Sequence, residues 1–186
     1  MSSRTIITAV LIAVVAGVAG FLMQRQFTGI PNEPVILDKS PASEKSLIGH
    51  VRPDFSLPDK DGNIRSVEEW DGKVLVINFW ATWCPPCRDE IPEFIKLQNE
   101  YGEQGLQFIG IALQKAEDVQ EFAAELGMNY PILTGEQTVI KVAEDFGNTI
   151  GILPYTVVVD RNKKIAFIKK GPLHYDEADE IIRLLL

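Results

Sequence analysis

The sequence predicts an α/β domain with a central mixed sheet flanked by helices. Three observations carry this. Val74 to Trp80 is a nearly continuous apolar run, the pattern of a central strand buried on both faces. A stretch with helical periodicity follows from Pro86 to Tyr101, and Leu106 to Leu113 reads as a second buried strand. Near the C-terminus, Tyr155 to Asp160 and Lys164 to Lys169 form two strand candidates joined by the polar turn Arg161-Asn162-Lys163.

Ahead of this domain, Thr5 to Met23 is apolar or small throughout. At helical rise it spans about 28 Å, close to the hydrocarbon thickness of a bilayer. Residues 1–26 are therefore read as an N-terminal membrane anchor, with Arg4 before the run and Arg25 after it. A cleaved signal peptide is the rival, with Gly17-Val18-Ala19 as a small-residue site. The apolar run continues through Phe21, Leu22 and Met23, which favours retention. Residues 27–48 contain Pro31, Pro34 and Pro41 among polar residues and read as a flexible linker with a reach of about 25–30 Å. Residues 49–186 form the globular domain.

Asp54 to Pro58 is a short strand candidate; Asp61-Gly62-Asn63 is a turn signal from which Ile64 to Ser66 returns antiparallel. Ser66-Val67-Glu68-Glu69 matches a capping box opening a short helical turn, which Asp71-Gly72 closes. In the helix from Pro86 the apolar positions Ile91, Phe94, Ile95 and Leu97 share a face, Pro92 predicts a kink, and Gly102 and Gly105 mark the end. Glu117 to Leu126 and Thr138 to Phe146 are two further helices, each stopped by glycine, and Asp176 to Leu185 is the last. The order is strand, helix, strand, helix, helix, strand, strand, helix.

The 186-residue chain has a formal net charge of −8 and 24% charged residues. No lysine or arginine run stands out, which argues against a nucleic-acid partner. The chain has two cysteines, too few for a disulfide scaffold. The two histidines, His50 and His174, lie far from them in sequence, so a structural zinc site lacks its second ligand pair. Cys84-Pro85-Pro86-Cys87, directly after a buried strand and opening a helix, reads as a redox pair. A helix N-terminus offers free N–H groups and a favourable dipole to a thiolate. Cys84, at the exposed edge of the helix, is the predicted attacking nucleophile; Cys87, one turn in, is the resolving thiol. Pro86 suits a first helical turn, and Pro85-Pro86 both initiates the helix and stiffens the ring between the sulfurs. Trp80 is predicted to pack in the core. Trp83 is predicted to sit at the surface beside Cys84, shielding the site or docking substrate. Arg88 and Asp89 read as surface charges. Pro154, ahead of a strand, is compatible with an ordinary trans bond or with a cis bond that frees a neighbouring backbone edge.

The run Asn78-Phe79-Trp80-Ala81-Thr82-Trp83-Cys84-Pro85-Pro86-Cys87-Arg88-Asp89-Glu90-Ile91-Pro92 resembles the thioredoxin superfamily, specifically its membrane-anchored TlpA/ResA-like branch of bacterial thiol–disulfide oxidoreductases. The resemblance extends from about Val51 to the C-terminus. Arg52-Pro53-Asp54-Phe55-Ser56-Leu57 is similar to the opening of this branch, and Leu113 to Phe146 to its helix-containing insertion. It implies a thioredoxin-like fold with an N-terminal strand extension, a cis Pro154 facing the cysteines, and a Glu90 that influences their protonation. The solvated alternative for Glu90 is a first-turn acid that favours the helix dipole. The chain departs from thioredoxins at Asn78, where they carry a buried Asp. It also departs from the cytochrome-maturation branch at Tyr155, where an acidic residue often follows the cis-proline.

The function implied is reduction of client protein disulfides outside the cytoplasm through Cys84 and Cys87, with apocytochrome c among the candidate clients. Electrons would come from a membrane thiol transporter. The catalytic domain would lie on the periplasmic or extracytoplasmic side of the bacterial inner membrane, held by a single-pass anchor. No cofactor is expected beyond the Cys84–Cys87 disulfide itself, and no metal. A dithiol oxidase or isomerase would use the same site with opposite poise. A thiol peroxidase would need Pro and Thr at seven and three residues before the first cysteine, where this chain has Ile77 and Ala81. A non-catalytic binding domain would not need the intact cysteine pair.

Overall fold

The computed structural model describes residues 47–186. The anchor of residues 1–26 and nearly all of the linker lie outside the described residues. Among the described residues no helix is long and apolar enough to cross a membrane.

Strands β1 (Ser56–Pro58) and β2 (Ile64–Ser66) form an antiparallel hairpin. Its turn is organised by Asp59, whose Oδ1 accepts the main-chain N–H groups of Asp61 and Asn63, both at 2.9 Å. A 3₁₀ turn (Val67–Trp70) follows. The Ser66 hydroxyl accepts from the Glu68 N–H, and the Glu69 carboxylate accepts from the Ser66 N–H at 2.9 Å.

Then come β3 (Val74–Trp80), α1 (Pro85–Tyr101), β4 (Leu106–Ala112), α2 (Ala116–Glu125), β5 (Ile132–Thr134), α3 (Gln137–Asp145), β6 (Tyr155–Val159), β7 (Ile165–Lys170) and α4 (Tyr175–Leu185). The five-stranded sheet has the order β5-β4-β3-β6-β7. β3, β4 and β5 are parallel; β6 runs antiparallel to β3, and β7 antiparallel to β6. This is the mixed α/β sheet expected. Two corrections apply. The first strand begins at Ser56 and not Asp54. The strand β5 is absent from the sequence reading, because three residues after Pro131 are too few to show a period. The segment between β4 and β6 thus contributes an edge strand as well as the two helices α2 and α3.

β3 is buried at every position and divides the core by side-chain parity. Leu75, Ile77 and Phe79 face a cluster with β1, α3 and β6, while Val74 and Val76 face one with α1 and α4. At the C-terminal end of β3, Trp80 and Ala81 join Cys84, Cys87 and Ile91 of the α1 region and Val119 and Ala123 of α2 in a third cluster.

Each sheet edge is covered in part. Lys60 N–H donates to the Ile132 carbonyl on β5 at 3.0 Å. On the other side, residues 49–52 exchange three main-chain bonds with residues 163–165 at 2.7–2.9 Å. Leu47, at the start of the described residues, packs on the core. Covered edges suppress pairing with other chains.

Candidate active site

The site is built where β3 ends and α1 begins. Cys84 is the N-cap of α1, with extended backbone (φ −94°, ψ 103°). Its N–H donates to the Ala81 carbonyl at 3.1 Å, and its carbonyl accepts from the Arg88 N–H at 3.2 Å. Pro85 and Pro86 fill the first two helical positions, where a missing N–H costs least. Their consequence is specific: of the first three helical residues only Cys87 has an amide N–H to offer a thiolate on Cys84. That is the position from which an N-cap side chain ordinarily receives its hydrogen bond. The loop before Cys84 is tied to the end of β4 by the Thr82 N–H, which donates to Gln114 Oε1 at 2.6 Å.

Cys84 and Cys87 form a disulfide with their Cα atoms 5.3 Å apart. The expectation of an exposed Cys84 requires correction. In the disulfide form it is 4% exposed and Cys87 is fully buried, because Trp80, Ile91 and the partly buried Leu153 pack around them. Exposure falls instead on Trp83, at 64%, and on Pro85. Trp80 is fully buried. Arg88 is exposed, but its guanidinium lies 5.6 Å from the centroid of the Phe122 ring, joining α1 to α2.

The Leu153–Pro154 peptide is cis. Tyr155, which follows it, turns into the core: it is fully buried and its hydroxyl donates to the Phe146 carbonyl at 2.9 Å. The next residue, Thr156, faces the other way and pairs across the sheet with Asn78.

Glu90, one turn after Cys87 on the same face of α1, is 1% exposed. Its Oε1 accepts from Asn78 Nδ2 at 2.8 Å, and its Oε2 accepts from the Leu173 N–H at 3.0 Å. Asn78 Nδ2 also donates to Thr156 Oγ1 at 3.0 Å. Burial pushes the Glu90 carboxyl up to about 7; the Leu173 and Asn78 donors oppose that rise, and the Glu93 carboxylate adds to it. Burial, with Glu90 nearby, also holds the Tyr130 phenol well above its ordinary range.

The structure therefore brings Cys84, Cys87, Pro85, Pro86 and Glu90 together at one helix end, with Trp83 at the rim and Leu153 before Pro154 packed on the cluster. Sequence reasoning missed Thr156 and the Leu173 N–H. Asn78 stood out in the sequence only as the place where thioredoxins carry an acid; its position opposite Thr156 comes from the β3–β6 register. Among the described residues no group of three or more His, Cys, Asp or Glu could hold a metal ion.

Residues 48–168 match the AhpC/TSA family. The chain is 32% identical to the thiol–disulfide oxidoreductase ResA of Geobacillus thermodenitrificans, over 68% of this chain and 71% of that protein. It is also 32% identical to the thioredoxin-like protein YneN of Bacillus subtilis, over 73% of this chain and 79% of its relative. Among solved structures, a thiol:disulfide interchange protein of the thioredoxin family from Chlorobium tepidum superposes with a TM-score of 0.67 at 29% identity, covering 73% of this chain and 94% of its own. The family match over residues 48–168 contains the cysteine pair, the strand before it and the helix after it. The chain therefore belongs to the AhpC/TSA family, among its thioredoxin-fold thiol–disulfide oxidoreductases.

Proposed function

We propose that this chain is a protein-disulfide reductase acting outside the cytoplasm, tethered to the bacterial inner membrane by the apolar run Thr5 to Met23. The observation that carries the exchange chemistry is the pairing of a helix-capping Cys84 with a buried, near-neutral Glu90 one turn beyond Cys87. A capping thiolate is stabilised by the Cys87 N–H and the helix dipole, which makes Cys84 the attacking sulfur. Such stabilisation by itself makes a couple more oxidising; Pro85 and Pro86, by removing two N–H donors, limit it and so favour a reducing poise.

The Cys84 thiolate attacks one sulfur of a client disulfide. A new S–S bond forms to the client, and the second client sulfur leaves as a thiolate. The Glu90 carboxylate then takes the Cys87 thiol proton: the S–H bond breaks and an O–H bond forms. The Cys87 thiolate attacks Cys84 Sγ and releases the first client sulfur. Two electrons have passed to the client, and the chain is left with its Cys84–Cys87 disulfide. A membrane thiol transporter, itself a dithiol, returns it to the reduced state by the same exchange. The exposed Trp83, next to Cys84 in the chain, and the backbone at Leu153 and Pro154, where Leu153 packs on the cysteine cluster, would receive the client as an extended segment. Apocytochrome c is one client of suitable chemistry, although the residue after Pro154 is a core tyrosine.

A thiol oxidase or isomerase would use these same atoms, and the poise of the couple separates the two. Peroxidase chemistry is disfavoured by Ala81, a buried side chain with no hydroxyl to bind a peroxide.

The test is client trapping with the full-length chain. A Cys87→Ser variant should accumulate a mixed disulfide with a disulfide-bonded client, and Cys84→Ser should accumulate none. Trapping through Cys87 in the Cys84→Ser variant would reverse the assigned roles. Full client reduction without either cysteine would remove the redox reading altogether.

A further inference from the structure

Asn78 lies on a fully buried strand and spends both amide hydrogens on named partners. One reaches Glu90 Oε1 at 2.8 Å, the other Thr156 Oγ1 at 3.0 Å. Thr156 is fully buried and sits directly opposite Asn78 in the β3–β6 register. With the threonine oxygen accepting from it, the Asn78 amide presents its NH₂ group to the carboxylate. The Leu173 N–H holds the second carboxylate oxygen at 3.0 Å. Both groups are N–H donors, and neither can take up a proton from Glu90. Proton exchange must therefore run to another neighbour, and Cys87 lies one turn away on the same buried helix face.

We propose that Asn78, fixed by Thr156, is the positioning residue that holds the Glu90 carboxylate ready to exchange a proton with Cys87. This rests on Glu90 being the proton carrier of the reductase cycle. It gives a role to the position where thioredoxins carry an acid: here the strand residue donates to the acid instead of being one. It also links the proton carrier to β6, the strand that follows Pro154. The other titratable groups around Glu90 are Cys87 and Glu93 on α1, Tyr130 ahead of β5 and, beyond Glu93, His174 ahead of α4. His174 Nδ1 lies 4.0 Å from Glu93 Oε2.

The experiment is the pH dependence of iodoacetamide alkylation of the reduced full-length chain, paired with a ¹³C NMR titration of the Glu90 carboxyl in the oxidised chain. The unmodified protein should show an inflection near 7, and Glu90→Gln should abolish it. Removing a donor from a buried carboxylate disfavours its charged form. Asn78→Ala should therefore move the inflection up by about one pH unit, and the near-isosteric Thr156→Val should move it the same way by less. In the Glu90→Gln background Asn78→Ala should change nothing, and His174→Gln should retain the original inflection. If Glu90→Gln abolishes the inflection while Asn78→Ala and Thr156→Val leave it in place, the positioning role is wrong and Glu90 keeps its own. If Glu90→Gln leaves the inflection intact, or His174→Gln removes it, the Glu90 assignment fails and this role with it. Should Asn78→Ala not fold, Thr156→Val decides alone: an unmoved inflection overturns the proposal.

Discussion

Glu90 accepts two N–H donors in a site where burial works against charge, and its carboxyl settles near 7 and not at its ordinary 4.5. The folded state thus keeps a proton that the unfolded chain has lost across that interval. Stability should fall as pH rises from about 4.5 to about 7 and level off above, by an amount on the order of 3 kcal/mol. Urea unfolding of the oxidised chain across this range should show the decline, and Glu90→Gln should flatten it; an equal slope in both would contradict the assignment. Asp71 has the opposite sign. The Lys163 ammonium, and then Arg52, hold its carboxyl below the usual range, so its contribution is present at neutral pH and lost in acid. The family resemblance singled out Glu90 in the sequence, three residues after Cys87, although the spacing alone left a solvated first-turn acid open as well. Its donors were not visible. Asn78 is 12 residues away and Leu173 is 83, and only the folded sheet and the loop before α4 bring them together.

At the scale of elements, Gly110 of β4 lets the Trp80 ring of β3 lie close against it. A Cβ added at Gly110 would lie 2.9 Å from Trp80 Nε1 and 3.3 Å from Tyr130 Cε2. Trp80 belongs to the cluster that contains both cysteines, so it cannot yield without disturbing them. Gly110→Ala should destabilise the oxidised chain by about 1–3 kcal/mol, read by urea unfolding. An unchanged midpoint would mean the indole has room that the structure does not show. The glycine reads in sequence only as an interruption of an apolar strand; the ring it accommodates comes from the neighbouring strand. The long elements were legible because their periods were strong: seven buried residues in β3, and a helical stripe from Cys87 to Tyr101 in α1. β5 was not, because Ile132–Thr134 is recruited to the sheet by its neighbour β4 and not by a pattern of its own.

For the whole molecule, Arg52 fastens the segment that leads into the domain. Its side chain is fully buried and its guanidinium meets Asp54 and Asp71, both at 2.6 Å, while Asp71 also receives Lys163 from the β6–β7 turn. Asp54 is well exposed and Asp71 partly so, which tempers the strength of these pairs. Arg52→Met should still cost about 1–3 kcal/mol by leaving Asp71 with one partner fewer. Client reduction per folded molecule should be unaltered, because the pair lies outside the redox site. A loss of activity without a loss of stability would show that this segment also serves the chemistry. The account as a whole rests on the direction in which the Cys84–Cys87 couple runs. Its reduction potential, measured by equilibrating the full-length chain with dithiothreitol at pH 7, tests that most directly. A value near about −270 mV, at the reducing end of the thioredoxin-fold range, is what a disulfide reductase supplied by a membrane dithiol requires. A value near about −120 mV would contradict the account and make the chain a donor of disulfides.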